Sequence, residues 1–577
     1  MSSFPAETER RRRLLTRTLP LALVALIAFV IGVATGSPGD PEKDTANRFA
    51  EAWEGRNFKG MYGELNDASK ARVERKEFEA AYREAQQVAT VRGIEADSAG
   101  DAESTGSGKT VPVGMTIATV AFGRVEAELE LPFVDGGIEW DENLVFPGLR
   151  EGEELAADVE LAERAPILAR DGTALAEGPA EEREHPLGSA AIDVTGEIGE
   201  ASEEELARLA RRGFSPETPV GISGLEQAFN ARLAGKPGGS LLAVSADGSS
   251  VRTLAKSKPR PGAPVKTTID PDLQEAAVAA LGGRSGGVAA LDTRTGDVRA
   301  LAGQAFSAPQ PPGSTFKVLT TAAALESGAV SMDDEFEISD GINVGGRFIY
   351  NANGEFCGGT FPEAFAHSCN AVCAPLGPAV GNDKLVETAE KFGFNEPPTL
   401  YAPQIVREVE PEESTIPTEI GEEIDLGVSA IGQGEVLATP LEMASVSQTV
   451  ANHGVRLPTS IVLNKKLRPD PKPVRVMSKK VADELTELMV GVITEGTGAA
   501  GAISEAQVAG KTGTAELGPK PGEEESENPV QIKDAWFTAF APAEKPRLAV
   551  GVLLIEAEAS GGEVAAPIAS EVLSAGL

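Results

Sequence analysis

Apolar and polar positions recur along this chain with several different periods, and each period marks a different kind of element. Leu19–Thr35 carries no charge and only one proline, and its length meets the lower limit of about 17 residues for a membrane span. Asp44–Trp53 sets Phe49 and Trp53 four residues apart, the spacing of one helix face, and a second helix is expected around Lys76–Gln86. Residues 97–108 contain only Asp, Ala, Ser, Gly, Glu and Thr and read as a flexible connection. Val111–Val120 and Gly123–Val134 alternate as paired strands do, and Ile138-Glu139-Trp140 follows them. Gly287–Leu301 predicts two strands joined by a turn, and Ala535–Pro542 and Leu548–Ile555 predict two buried strands. Between these, Val318, Leu319, Ala322, Ala323 and Leu325 make residues 314–327 a helix too apolar for the surface, with Pro311-Pro312-Gly313 at its entrance and Gly328 at its exit. The pattern is that of a multidomain α+β chain.

Length agrees, since 577 residues predict about three to five domains. The formal net charge is −36, which excludes a nucleic-acid ligand and reads as a solubility feature. The first 36 residues run against this trend, with Arg10, Arg11, Arg12, Arg13 and Arg17 against Glu7 and Glu9. Basic residues ahead of an apolar run place its front end in the cytoplasm. A basic tail at 1–18 and a single-pass anchor at 19–35 are therefore expected, with everything beyond exported from the cell. A cleaved signal peptide is the alternative, because Val33-Ala34-Thr35-Gly36 offers small residues. Three cysteines (Cys357, Cys369, Cys373) and three scattered histidines (His185, His367, His453) are too few for a metal centre, so no metal and no cofactor are expected.

Three short strings carry the candidate chemistry. Ser314-Thr315-Phe316-Lys317 places Lys317 one turn beyond Ser314 on the same helix face. Ser314 falls in the first turn, where free N–H groups favour negative charge on its oxygen. A serine hydroxyl is a weak nucleophile until a base takes its proton. A neutral Lys317 is such a base, provided that burial and a second cation lower its pKa. Lys511 is the candidate second cation, in the β-prone string Lys511-Thr512-Gly513-Thr514, whose glycine allows another backbone to approach closely. Ser368-Cys369-Asn370 lies between the two.

Taken together and in this order, S-x-x-K, S-x-N and K-T-G resemble the serine acyl-transfer set of penicillin-binding transpeptidases and their lactamase relatives. The resemblance covers about residues 263–577 and implies a transpeptidase domain there, an antiparallel sheet flanked by helices. It implies a peptidoglycan D,D-transpeptidase that cross-links stem peptides through an acyl-enzyme on Ser314 and is blocked covalently by β-lactams. Lys317 is then the base, and Ser368 relays a proton between the lysines and the leaving amine. Lys511 and Thr512 hold the carboxylate ending the substrate, and Asn370 holds a substrate amide. The N–H groups of Ser314 and Thr514, the latter following Gly513, form the oxyanion hole. Arg164–Ala176 and Gly224–Asn230 resemble the pedestal or dimerisation region of class B members, expected at 158–262. Residues 40–150 resemble the nuclear-transport-factor-like domain of the methicillin-resistance type, where a spacer is expected rather than a ligand site.

No glycan-polymerising domain is recognised, so a separate polymerase is an expected partner. A disulfide from Cys357 is expected outside the membrane, with Cys373 favoured over Cys369 because a cross-link inside the Ser-x-Asn string would constrain the cleft wall. Release of the acyl group to water, as in a D,D-carboxypeptidase or a β-lactamase, is the alternative outcome, and a mainly scaffolding role is another.

Overall fold

The computed structural model describes residues 40–106, 108–402, 411–519 and 531–577. The basic tail and the apolar run Leu19–Thr35 lie outside the described residues. Among the described residues, no helix is long and apolar enough to cross a membrane. The described residues form two compact units: one contains those up to Leu161 with Glu203–Pro216 and Lys236–Arg260, and the other contains Ala162–Ser202, Glu217–Gly235 and those from Pro261 to Leu577.

In the first unit, helix Pro41–Glu54 starts where Asp40 caps the Glu42 N–H and Pro41 occupies the first turn, and it buries Phe49 and Trp53. Helix Arg75–Val88 opens with a Glu74/Glu77 capping box and buries Phe78 and Tyr82. The Trp53 and Tyr82 rings meet edge to face at 5.0 Å. The Tyr82 hydroxyl donates to the Leu144 carbonyl (3.0 Å) and accepts from Trp140 Nε1 (3.3 Å), so the polar tips of these two rings satisfy one another, whereas the buried Trp53 Nε1 has no hydrogen-bond partner among the described residues. Strands Gly108–Thr119 and Arg124–Val134 pair antiparallel, and Val111, Val113, Met115 and Ile117 point alternately into the core.

Two features depart from the sequence expectation. Glu103–Thr105, inside the expected flexible connection, pairs as a short strand with Gly108–Thr119. In addition, Gly238–Ser245, remote in sequence, lies between Glu153–Glu160 and Ser250–Ser257 and sends Leu241 and Ala243 into the same core as Trp53.

The second unit is built on a five-stranded antiparallel sheet in the order Val298–Gly303, Gly286–Asp292, Leu548–Ala557, Gln531–Ala541, Ala509–Pro519. Alternate residues of each strand serve opposite faces. Phe537 and Ala539 pack with helices Pro271–Leu281 and Gly561–Gly576 on one side, whereas Trp536 and Phe540 pack with Phe316, Leu319 and Met443 on the other. The result is a helix–sheet–helix sandwich. Helix Pro440–Ala451 is buried along its whole length. It lies on strand Leu548–Ala557 at Gly551, where a Cβ would stand 2.1 Å from the Pro440 carbonyl oxygen.

The stretches beginning at Arg164 and Gly224 meet in a buried ion cluster. Arg164 and Arg183 both grip the Glu226 carboxylate, Arg164 also donates to Asn230 Oδ1 at 3.0 Å, and the Arg164 and Glu226 side chains are 3 % and 0 % exposed. Removing one partner of a buried cluster leaves uncompensated charge, at a cost of about 3–5 kcal/mol. Glu226→Ala is therefore expected to lower the unfolding free energy of this unit by that amount in denaturant titrations, whereas a loss within 1 kcal/mol would show that the cluster behaves like a surface pair.

Candidate active site

The serine segment begins with a tight 3-10 turn at Gly313–Phe316 and continues as helix Lys317–Ser327, which Gly328 ends in the left-handed conformation. Gly313 has φ +51° and donates its N–H to the Gly432 carbonyl at 2.9 Å. A Cβ on Gly313 would lie 2.6 Å from the Thr514 carbonyl oxygen, and one on Gly513 would lie 2.6 Å from the Pro312 carbonyl oxygen. These two glycines let the Lys-Thr-Gly strand and the serine turn touch backbone to backbone. Ser314 and Thr514 consequently stand next to each other along the same cleft.

Behind Ser314, two lysines are buried without a carboxylate between them. Lys317 Nζ donates to the Ser368 carbonyl (2.7 Å), Ser368 Oγ (3.2 Å) and Asn370 Oδ1 (2.7 Å). Lys511 Nζ donates to Ser368 Oγ (2.8 Å) and to the Thr512 carbonyl (3.2 Å), and lies over the Phe365 ring. The Ser368 hydroxyl thus bridges the two amines. Burial brings the Lys317 pKa down to about 8. Burial and the charge of Lys317 carry Lys511 well below the usual lysine value. Ser368 itself adopts φ +58°, an uncommon conformation for a residue with a side chain and one that concentrates at working sites.

The rest of the site is an open cavity of about 830 Å³ lined by Ser314, Ser368, Asn370, Thr512, Gly513 and Thr514, together with Tyr350, Asn351, Gln433, Glu516 and Lys533 among others. Every sequence-predicted site residue is brought to this one place, with Lys317 and Lys511 behind the lining. Thr512 Oγ1 is held by Thr497 Oγ1 at 2.6 Å, and Thr514 Oγ1 accepts from the Gly561 N–H at 3.3 Å. Tyr350, which ends strand Arg347–Tyr350, Asn351 just after it, and Glu516 and Lys533 beyond the Lys-Thr-Gly string were not singled out from the sequence, because no local spacing ties them to the serine. Gln433 lay within a glycine-rich segment that could have pointed to it.

The cysteine expectation is corrected. Cys357 is bonded to Cys369, with Cα atoms 5.9 Å apart, and Cys373 is the free, buried thiol. Cys373 sits one turn into the short helix Asn370–Cys373 and packs among Val344, Ala374, Ile424 and Ile431. Cys369, just before that helix, faces strand Cys357–Thr360. Burial pushes the Cys373 thiol pKa up.

A base whose pKa is lowered on folding penalises the folded state below its folded pKa, and the penalty fades as pH rises toward the unfolded value. For Lys317, the window runs from about 8 up to the ordinary 10.5. The unfolding free energy of the native protein, measured against that of Lys317→Met, is therefore expected to rise by about 2 kcal/mol between roughly pH 7 and pH 10. A difference independent of pH would show that Lys317 is not an electrostatically strained amine.

The family model for the penicillin binding protein transpeptidase domain matches residues 286–574, the model for the penicillin-binding protein dimerisation domain matches 177–267, and the model for the NTF2-like N-terminal transpeptidase domain matches 41–153. The chain belongs to the penicillin-binding protein transpeptidase family and has the class B architecture. Among its relatives is the peptidoglycan D,D-transpeptidase PbpA of Mycolicibacterium smegmatis, 38% identical over 299 residues that make up 48% of this chain and 57% of the relative. The PbpA of Mycobacterium tuberculosis is likewise 38% identical, over 296 residues and the same shares. The alignments thus span little more than half the length of these relatives. Penicillin-binding protein A from M. tuberculosis in its penicillin G acyl-enzyme complex has a TM-score of 0.56 at 28% identity, covering 72% of this chain and 99% of that one. The D,D-transpeptidase domain of a peptidoglycan glycosyltransferase from Eggerthella lenta gives 0.56 at 28%, covering 72% and 98%.

Proposed function

We propose that this chain is a serine-type peptidoglycan D,D-transpeptidase. The observation that carries the reading is the Ser368 hydroxyl held between Lys317 and Lys511 behind a cleft onto which Ser314 opens. Neutral Lys317 takes the Ser314 proton, and Ser314 Oγ attacks the carbonyl carbon of the penultimate D-alanine of a stem peptide. The resulting oxyanion is held by the N–H groups of Ser314 and Thr514. Collapse breaks the peptide bond, and the leaving D-alanine amine receives its proton through Ser368 from the lysine pair. An amine of a neighbouring stem then attacks the ester, forms the cross-link and returns Ser314 to its hydroxyl. Thr512 and Lys511 hold the substrate carboxylate, and Asn370 holds a stem amide. A β-lactam enters by the same first step, but its ring opens without releasing a leaving group, which leaves Ser314 acylated. Because the reaction needs neutral Lys317, its rate rises as pH increases toward about 8.

The single-pass anchor, the extracytoplasmic location and a separate glycan polymerase as partner belong to this proposal. The arginines ahead of Leu19–Thr35 support an anchored chain oriented outward, and an exported cleft is where stem peptides of a growing wall are found. The full chain, incubated with a glycan polymerase and lipid-linked precursor, is expected to produce cross-linked stem dimers with one D-alanine released per link. Ser314→Ala is expected to leave linear glycan. Free D-alanine with trimmed monomers and no dimers would replace transpeptidation with carboxypeptidase activity.

A further inference from the structure

Asn370 has two jobs at once, since its carbonyl oxygen faces the Lys317 amine and its NH₂ must then face elsewhere. That second face is occupied. Asn370 Nδ2 donates to the Tyr350 carbonyl at 2.8 Å. The same peptide unit carries the Asn351 N–H, which donates to the Asp340 carbonyl at 2.8 Å, so the plane presenting the Tyr350 oxygen is fixed from behind. Asn351 is 4 % exposed and its side chain makes hydrogen bonds to three separate segments. Its Nδ2 donates to the Ser339 carbonyl (2.8 Å) and the Glu355 carbonyl (2.8 Å), and its Oδ1 accepts from the Ala371 N–H (2.9 Å). Ala371 is the residue after Asn370. Asn351 therefore ties the end of strand Arg347–Tyr350, which carries the Tyr350 carbonyl, to the start of the helix carrying Asn370.

We propose that Asn351 is a positioning residue for acyl transfer, which fixes the orientation of the Asn370 amide and through it the protonation of Lys317. An amide can turn over about its terminal bond, and only the partners distinguish its two ends. With a carbonyl on one side and an ammonium on the other, one orientation satisfies both. Turned over, Asn370 would aim NH₂ at the Lys317 ammonium and oxygen at the Tyr350 oxygen. The oxygen-to-amine orientation favours the protonated lysine, and its loss lets the amine shed its proton at lower pH while the base loses its fixed place. The titratable groups otherwise facing Lys317 are Lys511, from the Lys-Thr-Gly strand, and the buried Cys373 thiol, from the helix after Asn370. Ser368 also faces the Lys317 amine, with both its carbonyl and its hydroxyl. Among the described residues, no hydrogen bond joins Lys511 or Cys373 to Asn351.

The inference rests on serine acylation as proposed above, and the test separates the two. Asn351→Ala in the full chain is expected to lower the second-order rate of acylation by a labelled penicillin at least tenfold near pH 7, and to move the acid limb of its pH profile to lower pH by half a unit or more. Asn351→Ser, which keeps one hydrogen-bonding group, is expected to fall between Asn351→Ala and the native protein, and stands in if Asn351→Ala does not fold. A role in stability alone would lower the rate at every pH and leave the limb in place, and that result overturns the proposal, as does an unchanged rate. If the native protein is not acylated at all, the acylation reading fails. The Asn351 proposal is then decided by the titration of Lys317 itself, followed through its ¹³Cε signal and assigned with Lys317→Arg. A lower midpoint in the Asn351 variant supports it, and an identical midpoint overturns it.

Discussion

Two lysine side chains are taken out of water beside one another, and much of the catalytic unit is arranged around that cost. An ammonium moved into an apolar interior resists the move by shedding its proton, and a second ammonium nearby strengthens that tendency. Lys317 and Lys511 are both fully buried, and the groups that receive them are the Ser368 and Thr512 carbonyls, the Asn370 amide oxygen and the Ser368 hydroxyl rather than carboxylates. A carboxylate would restore the charged form and remove the base. Neutral acceptors position the amines without neutralising the destabilisation that makes one of them basic near neutral pH.

The fold supplies that environment from long range. The central strands Gln531–Ala541 and Leu548–Ala557 give a rigid surface, the serine helix packs on it through Phe316 and Leu319, and the Lys-Thr-Gly strand lies at the edge next to Gln531–Ala541. Gly313 and Gly513 lack the Cβ atoms that would push the serine turn and this edge strand apart. The edge position also explains the open cleft, because a strand with a free side can receive an extended peptide along it.

Much of this arrangement was legible in the sequence because it is written in short spacings. The Ser314/Lys317 interval survives as one helical turn, Lys511-Thr512-Gly513 is local to one strand, and the apolar run from Ala535 forms a strand buried on both faces, with Phe537 and Trp536 in opposite cores. What the sequence did not yield depends on chain segments that meet only in the folded state. Gly238–Ser245 completes a sheet with strands on both sides of it, one of them from about 80 residues earlier. Asn351 has no motif, and its importance appears only once Ser339, Glu355 and Ala371 are seen around it. The disulfide partner depended on which of Cys369 and Cys373 the start of a four-residue helix turned toward Cys357, a choice that proximity in sequence does not make. The helix containing Ser314 was expected to begin at the serine, whereas a 3-10 turn precedes it, because Gly313 must bend the chain onto Gly432.

The central claim is that Ser314 is the nucleophile and that the buried amine of Lys317 activates it. The most direct measurement is peptide mass spectrometry of the full chain after exposure to penicillin, on the native protein and on Lys317→Ala. The account predicts a single covalent adduct on the peptide carrying Ser314 in the native protein, formed at least a hundredfold more slowly in Lys317→Ala, in the range typical for removal of a general base (about 10²–10⁴). An adduct on another residue, or undiminished acylation without Lys317, would contradict it.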